Sequence, residues 1–245
     1  MAASRILSRI LYPPRLTGVP KSPSPAELEA WVGSAESACF RGPDEEFVRR
    51  ALGLGVGSGM LLDLDSRLGL VAMRILWEAE DLLAIGIYSS LEVAERARLT
   101  AEAWGLGDRM FFQVGDARDL GLKTGYFDMV ISDGILQKAE RPREMLAEVA
   151  RIAKPGAAVL LGHMARPMRL GLGGEFSADA GYPEALRPWR ERLVHSGFTR
   201  VELEDLVRSA GLERAKVLGW EDRLFVERPG TDDPTSWVSE RERYR

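Results

Sequence analysis

Between Met60 and Gly162, short apolar runs alternate with stretches whose apolar residues recur at helical spacing, and this alternation limits the fold more than any other property of the chain. Met60–Leu64, Leu82–Ile87, Met110–Val114, Phe127–Ser132 and Ala157–Gly162 have strand length; Leu70–Leu76, Ser90–Trp104 and Pro142–Ile152 read as helices. Strands that alternate with helices predict a parallel sheet covered on both faces. Ligands of such sheets lie beyond the carboxyl ends of the strands, near the point where strand order reverses. The first strand-to-helix turn here, Asp63-Leu64-Asp65-Ser66-Arg67-Leu68-Gly69, occupies the position at which a nucleotide-type cofactor would be held. Gly55-Val56-Gly57-Ser58-Gly59 is richer in glycine, but it follows a helix and precedes a strand. A phosphate-cradling loop needs the reverse order, so this run is read as a connector.

A chain of 245 residues has room for one α/β domain with a large core and a short extension. Its 45% hydrophobic and 29% charged residues are those of a globular protein, and no apolar run reaches the length of a membrane span. A net charge of −4 argues against nucleic acid as the main partner, since phosphate binding leaves a basic footprint. The single Cys39 excludes an internal disulfide and a multi-thiolate metal site. No secretory signal is read, so the cytoplasm is the expected compartment.

Leu61-Leu62-Asp63-Leu64, Gly86-Ile87-Tyr88, Gly115-Asp116-Ala117, Phe127-Asp128-Met129-Val130-Ile131-Ser132-Asp133 and Lys154-Pro155-Gly156 stand in one register. As a set, from Phe47 to Glu227, they resemble the class I methyltransferases that use S-adenosylmethionine (SAM). The resemblance implies a Rossmann-like, seven-stranded α/β sandwich with an N-terminal helical extension. It implies domain bounds of 1–42 for arm and helices, 43–228 for the methyltransferase-like domain and 229–245 for a polar tail. Carried over residue by residue, it assigns cofactor contacts to Asp63, Arg67, Gly69, Tyr88, Leu91, Asp116, Ala117 and Ser132. Asp116 would accept from the adenine amino group, the next N–H would donate to the ring, and Leu91 would pack on it. An Asp after a strand can equally cap the following turn. Arg67 would pair with the methionine carboxylate.

Two positions depart from the family pattern. The Gly-x-Gly-x-Gly expected after Asp63 is Asp65, Arg67 and Gly69, so only the last glycine remains. Tyr88 stands where the family carries the carboxylate that takes both ribose hydroxyls, and a phenol cannot accept two hydrogen bonds side by side. Two readings follow. In one, the chain is a SAM-dependent methyltransferase acting on a small organic molecule. In the other, it is a catalytically inactive descendant that serves as a binding or scaffolding subunit.

Elsewhere, Arg5–Leu11 forms a short amphipathic stretch expected to dock on the main domain or on a second copy, which would make a homodimer through the arm; a membrane-surface role is the weaker reading. Ser24–Val32 and Asp44–Leu52 read as helices that either cover the substrate pocket or only shield the sheet. Ser89-Ser90-Leu91-Glu92 and Thr199-Arg200-Val201-Glu202 read as capping boxes. The family commonly has a histidine near Gln137 and Lys138, which this chain lacks. His163, at the end of the fifth strand, is the histidine placed to act as a base, the alternative being a strand-end residue bonded to a loop. Residues 164–188 are a lid-length loop in which Arg166 and Arg169 are candidates for an anionic substrate or for plain solvation. Arg214–Leu218 and Arg223–Glu227 would make the closing antiparallel strand pair typical of the fold that the resemblance implies.

Overall fold

A computed structural model describes residues 43–166, 187–220 and 223–230, together with Arg15, Thr17, Ser24, Ala26 and Glu29. The amphipathic stretch 5–11, most of 24–32, the loop 167–186 with Arg169, and the tail 231–245 lie outside the described residues, as does the side chain of Arg67.

The elements run α1 (Pro43–Leu52), β1 (Ser58–Leu64), α2 (Leu70–Glu78), β2 (Asp81–Tyr88), α3 (Leu91–Ala103), β3 (Met110–Val114) and β4 (Phe127–Asp133). They continue with α4 (Ile135–Lys138), α5 (Pro142–Ile152), β5 (Ala153–Met164), α6 (Arg187–Ser196), α7 (Arg200–Ser209), β6 (Lys216–Trp220) and β7 (Arg223–Arg228). Seven strands form one sheet in the order β3-β2-β1-β4-β5-β7-β6. The first five are mutually parallel; β7 pairs antiparallel with both β5 and β6. Strand order reverses between β1 and β4.

Side chains alternate across the strands and feed two cores. Leu61, Leu82, Ala84, Met129 and Leu160 pack with α1, α2 and α3 on one face. Leu62, Leu64, Val130, Val159 and Leu161 pack with α5 and α7 on the other. Coverage of both faces fails at one corner. Residues 115–126 between β3 and β4 contain no helix, and Leu83 and Phe111 stay 41% and 51% exposed there.

Local chemistry accounts for most of the boundaries. Thr199 and Glu202 exchange reciprocal bonds at the start of α7, as the capping box requires. At α3 the N-cap is Ser90, one residue past the start of the expected box, and its side chain makes no cap bond. Lys154-Pro155-Gly156, which the resemblance implies as the turn before the fifth strand, lies within β5 as an irregularity, the pairing jumping from Phe127–Ala153 to Met129–Ala158. No helix among the described residues is long and apolar enough to cross a membrane.

Candidate active site

A cavity of about 310 Å³ opens where strand order reverses, at the carboxyl ends of β1 to β4. Its apolar wall is Ile87, Val114, Ile135 and Met145; its polar lining includes Asp65, Ser89, Asp116, Arg118, Lys138 and Glu140, with the backbone of Gly115 and Ala117 between. The parallel sheet itself creates this place. The loops leaving adjacent strands diverge around the reversal and leave a crevice.

Asp116 and Ala117 line the cavity as expected. Asp116 also caps its own turn: Oδ1 accepts the Arg118 N–H at 3.0 Å, and the Arg118 guanidinium reaches Oδ2 at 2.5 Å. The turn-capping reading of this residue is therefore met while it faces the cavity.

Tyr88 does not face the cavity. Its ring is fully buried beside α2 and stacks on Phe112, with centroids 6.2 Å apart. Two glycines make the slot. A Cβ on Gly86 would stand 2.8 Å from the ring, and one on Gly69, which holds φ +77°, would stand 2.8 Å from the hydroxyl. Gly69 thus serves the packing of Tyr88 and lies away from the cavity lining. The hydroxyl donates to Asp63 Oδ2 at 3.2 Å, and the Ser66 N–H donates to Oδ1 at 3.1 Å. Asp63 is fully buried, and burial pushes its carboxyl up to about 7 despite those bonds.

The turn after β1 is closed by an ion pair absent from the sequence expectations. Asp65, in the left-handed region at φ 56°, projects toward α4 and accepts a hydrogen bond from Lys138 Nζ. Both side chains are buried, at 8% and 7% exposure. Burial raises the Asp65 carboxyl from its ordinary value, and Lys138 pulls it back.

Other candidates fall away from the cavity. Leu91 is 66% exposed and is not in its lining, because α3 turns its first residue outward. Ser132 is buried and donates to the Leu64 carbonyl at 2.6 Å, tying β4 to β1. Asp133 is buried in an ion pair with Arg223. His163 is fully buried edge-on to Phe198, and neither ring nitrogen makes a hydrogen bond of good geometry. Its pKa is lowered to about 4 by burial, and it is not in the cavity lining. Arg166 is buried and donates to Glu202 Oε1 at 2.5 Å, which commits it to α7. Of the cofactor assignments, then, Asp116 and Ala117 meet at the cavity, Asp63, Gly69 and Tyr88 form a buried cluster beneath it, and Leu91 and Ser132 do neither.

Sequence reasoning missed two residues around α4. In the sequence Lys138 stands out only as a place lacking histidine; the signal for it is Asp65 itself, since a carboxylate at a buried glycine position demands a counter-charge. Arg15, in the N-terminal arm, donates to the carbonyls of Leu136 at 3.3 Å, Gln137 at 3.2 Å, Ala139 at 3.3 Å and Ser196 at 2.6 Å. It also lies 4.2 Å from the centre of the Phe198 ring. A four-residue helix has little stability alone, and Arg15 satisfies its carbonyl end. Nothing local in the sequence marks such a contact.

A family model described as a methyltransferase domain matches residues 52–161. Ajmaline N-methyltransferase of Rauvolfia serpentina is 29% identical over 135 residues, 55% of this chain and 42% of that protein. A chloroplastic protein of Oryza sativa subsp. japonica, named as a probable tocopherol O-methyltransferase, is 38% identical over 76 residues, 31% of this chain and 21% of that protein. The chain thus spans less than half the length of these curated relatives. Among solved structures, a SAM-dependent methyltransferase from Aquifex aeolicus superposes with a TM-score of 0.64 at 16% identity, covering 84% of this chain and 98% of that one. At that identity the likeness is one of fold.

Proposed function

We propose that the chain, similar to the methyltransferase family over residues 52–161, is a class I methyltransferase that transfers a methyl group from SAM to a small molecule. The observation that carries the reading is the cavity at the strand reversal with Asp116 and Ala117 on its wall. The donor set suits an adenosine group. Ile87, Val114, Ile135 and Met145 offer apolar contact to a flat ring, Asp116 offers an acceptor, and the backbone at Ala117 offers a donor. The volume sits at the lower end of the range for ligand pockets, roughly 300–1,000 Å³.

SAM, when bound, supplies a methyl group on a sulfonium whose leaving group is already activated. What remains for the protein is positioning, which by itself contributes several kcal/mol toward a barrier. Ajmaline N-methyltransferase, one of the relatives, is by its name a protein that methylates nitrogen, which makes an amine one acceptor class to assay.

The altered motif sets the expected affinity. With Tyr88 bonded to Asp63, no carboxylate stands at the ribose position, and Ser89 brings a hydroxyl to the wall instead. Loss of a charge-assisted interaction of roughly 1.5–3 kcal/mol weakens binding about tenfold to a hundredfold. Calorimetric titration with SAM and with S-adenosylhomocysteine tests the reading. Dissociation constants in the micromolar range support it, and Asp116→Ala should weaken them about tenfold or more. No heat from either compound at millimolar concentration refutes it and leaves the scaffolding role.

A further inference from the structure

The Asp116 carboxylate, the acceptor for an adenine amino group in the proposed reaction, is saturated by its own neighbour. Oδ1 accepts from the Arg118 backbone N–H and from Arg118 Nε, both at 3.0 Å; Oδ2 accepts from Nε at 3.1 Å and from a terminal guanidinium nitrogen at 2.5 Å. A carboxylate has about four lone-pair positions, so a base that bonds to Asp116 has to displace the Arg118 side chain. The pair yields readily, because the Arg118 and Asp116 side chains are 32% and 39% exposed and an ion pair so placed contributes little. The backbone on either side is tied down. Behind Arg118, the Leu120 N–H donates to Glu148 at 2.9 Å and Arg151 donates to the Leu122 carbonyl at 2.8 Å, which joins the loop after β3 to α5. Across the cavity, Arg15 holds the Ala139 carbonyl at 3.3 Å, and Glu140 follows on the lining between α4 and α5.

We infer that Arg118 is a latch on this cavity: an entering base takes Asp116 from it, and the freed guanidinium crosses the mouth to Glu140 and lies over the base. The inference rests on the methyltransferase reading and extends it to two positioning residues that the resemblance does not assign. Three observations select Glu140. It lines the same cavity as Arg118, from the α4–α5 side. Its charge already acts on Arg118: Asp116 does most to raise the guanidinium above its ordinary value, and Glu140 and Glu144 add to it. Glu144 is committed to Arg141 at 3.2 Å, next to it on α5. A guanidinium is planar and stacks on aromatic faces, so a side chain that spans the two walls also covers the ring. Entry of the base then exchanges one carboxylate partner of Arg118 for another, and escape requires the second pair to break.

Surface plasmon resonance with S-adenosylhomocysteine on the immobilised protein separates entry from escape. Glu140→Gln keeps the Asp116–Arg118 contact, so association should stay within about twofold while dissociation speeds about fivefold. Arg118→Met should speed dissociation by a similar factor and should also speed association, because Asp116 is then open from the start. The double variant should dissociate no faster than Arg118→Met alone, since the two residues make one contact. The difference in dissociation between the unmodified protein and Glu140→Gln should shrink as salt rises from about 0.05 to about 0.5 M, because the pair forms near solvent; a packing role gives no such dependence. Glu140 is exposed and Arg118 partly so, and an unchanged melting temperature verifies that both variants keep the fold. Unchanged dissociation in Glu140→Gln, slower association in Arg118→Met or a difference indifferent to salt overturns the latch and leaves the methyltransferase reading standing. No binding of S-adenosylhomocysteine to the unmodified protein overturns both.

Discussion

Replacing Asp63 with Asn should change how stability depends on pH. Asp63 is fully buried at the end of β1, where burial pushes its carboxyl up to about 7; Asp65 adds to the push, and hydrogen bonds from Ser66 and Tyr88 oppose it. In an unfolded chain an aspartate titrates near about 3.9. Between those values the folded protein holds a proton that the unfolded chain releases. The contribution of Asp63 to stability is therefore complete below about pH 4 and is lost as the pH rises through about 7. Each tenfold difference in proton affinity is worth about 1.4 kcal/mol, so about 4 kcal/mol present at pH 4 from this group is absent at pH 8. Asn keeps the shape of the side chain and cannot titrate.

Urea denaturation of both proteins at several pH values between about 5 and 8, followed by tryptophan fluorescence, isolates the effect. The stability of the unmodified protein minus that of Asp63→Asn should fall by about 1.4 kcal/mol per pH unit and level off above about pH 7. His163 moves stability the other way, but it is common to both proteins and cancels in the difference. A difference that is flat with pH, or that grows as pH rises, refutes the raised titration of the buried Asp63 carboxyl.

Two further outcomes follow from the same geometry. Arg15→Ala removes the cation that holds the carbonyls of α4 and Ser196; it should cost about 2–3 kcal/mol in chemical denaturation and speed amide hydrogen exchange at Gln137 and Ala139. His163 has its pKa lowered by burial to about 4 against an unfolded value near about 6.5, so its contribution is present above about pH 6.5 and is lost as the pH falls through about 4. His163→Leu should leave neutral-pH stability within about 1 kcal/mol and flatten the acid limb, as read by melting temperature against pH. It should leave ligand affinity unchanged.

The succession of strands and helices was legible in the sequence because apolar spacing is a local property: period two or continuous burial for strands, 3.6 for helices. That succession carried the sheet, the closing antiparallel pair and the position of the cleft, since a parallel sheet puts its ligands at the reversal of strand order. Asp116 was singled out by the resemblance, and the strand end before it carries it to the cavity wall. The remainder of the site was decided by distance through space. Tyr88 has the same chemistry whether it points at a ribose or at Asp63; the slot left by Gly69 and Gly86, 17 residues apart in the chain, turned it inward. Asp65 and Lys138 are 73 positions apart and Arg15 lies 121 positions from Leu136, so no periodicity links them. Only the packing of α4 over the end of β1 brought the Asp65 carboxylate against the Lys138 ammonium that neutralises it, because burial penalises an unpaired charge and folding selects the arrangement that pairs it.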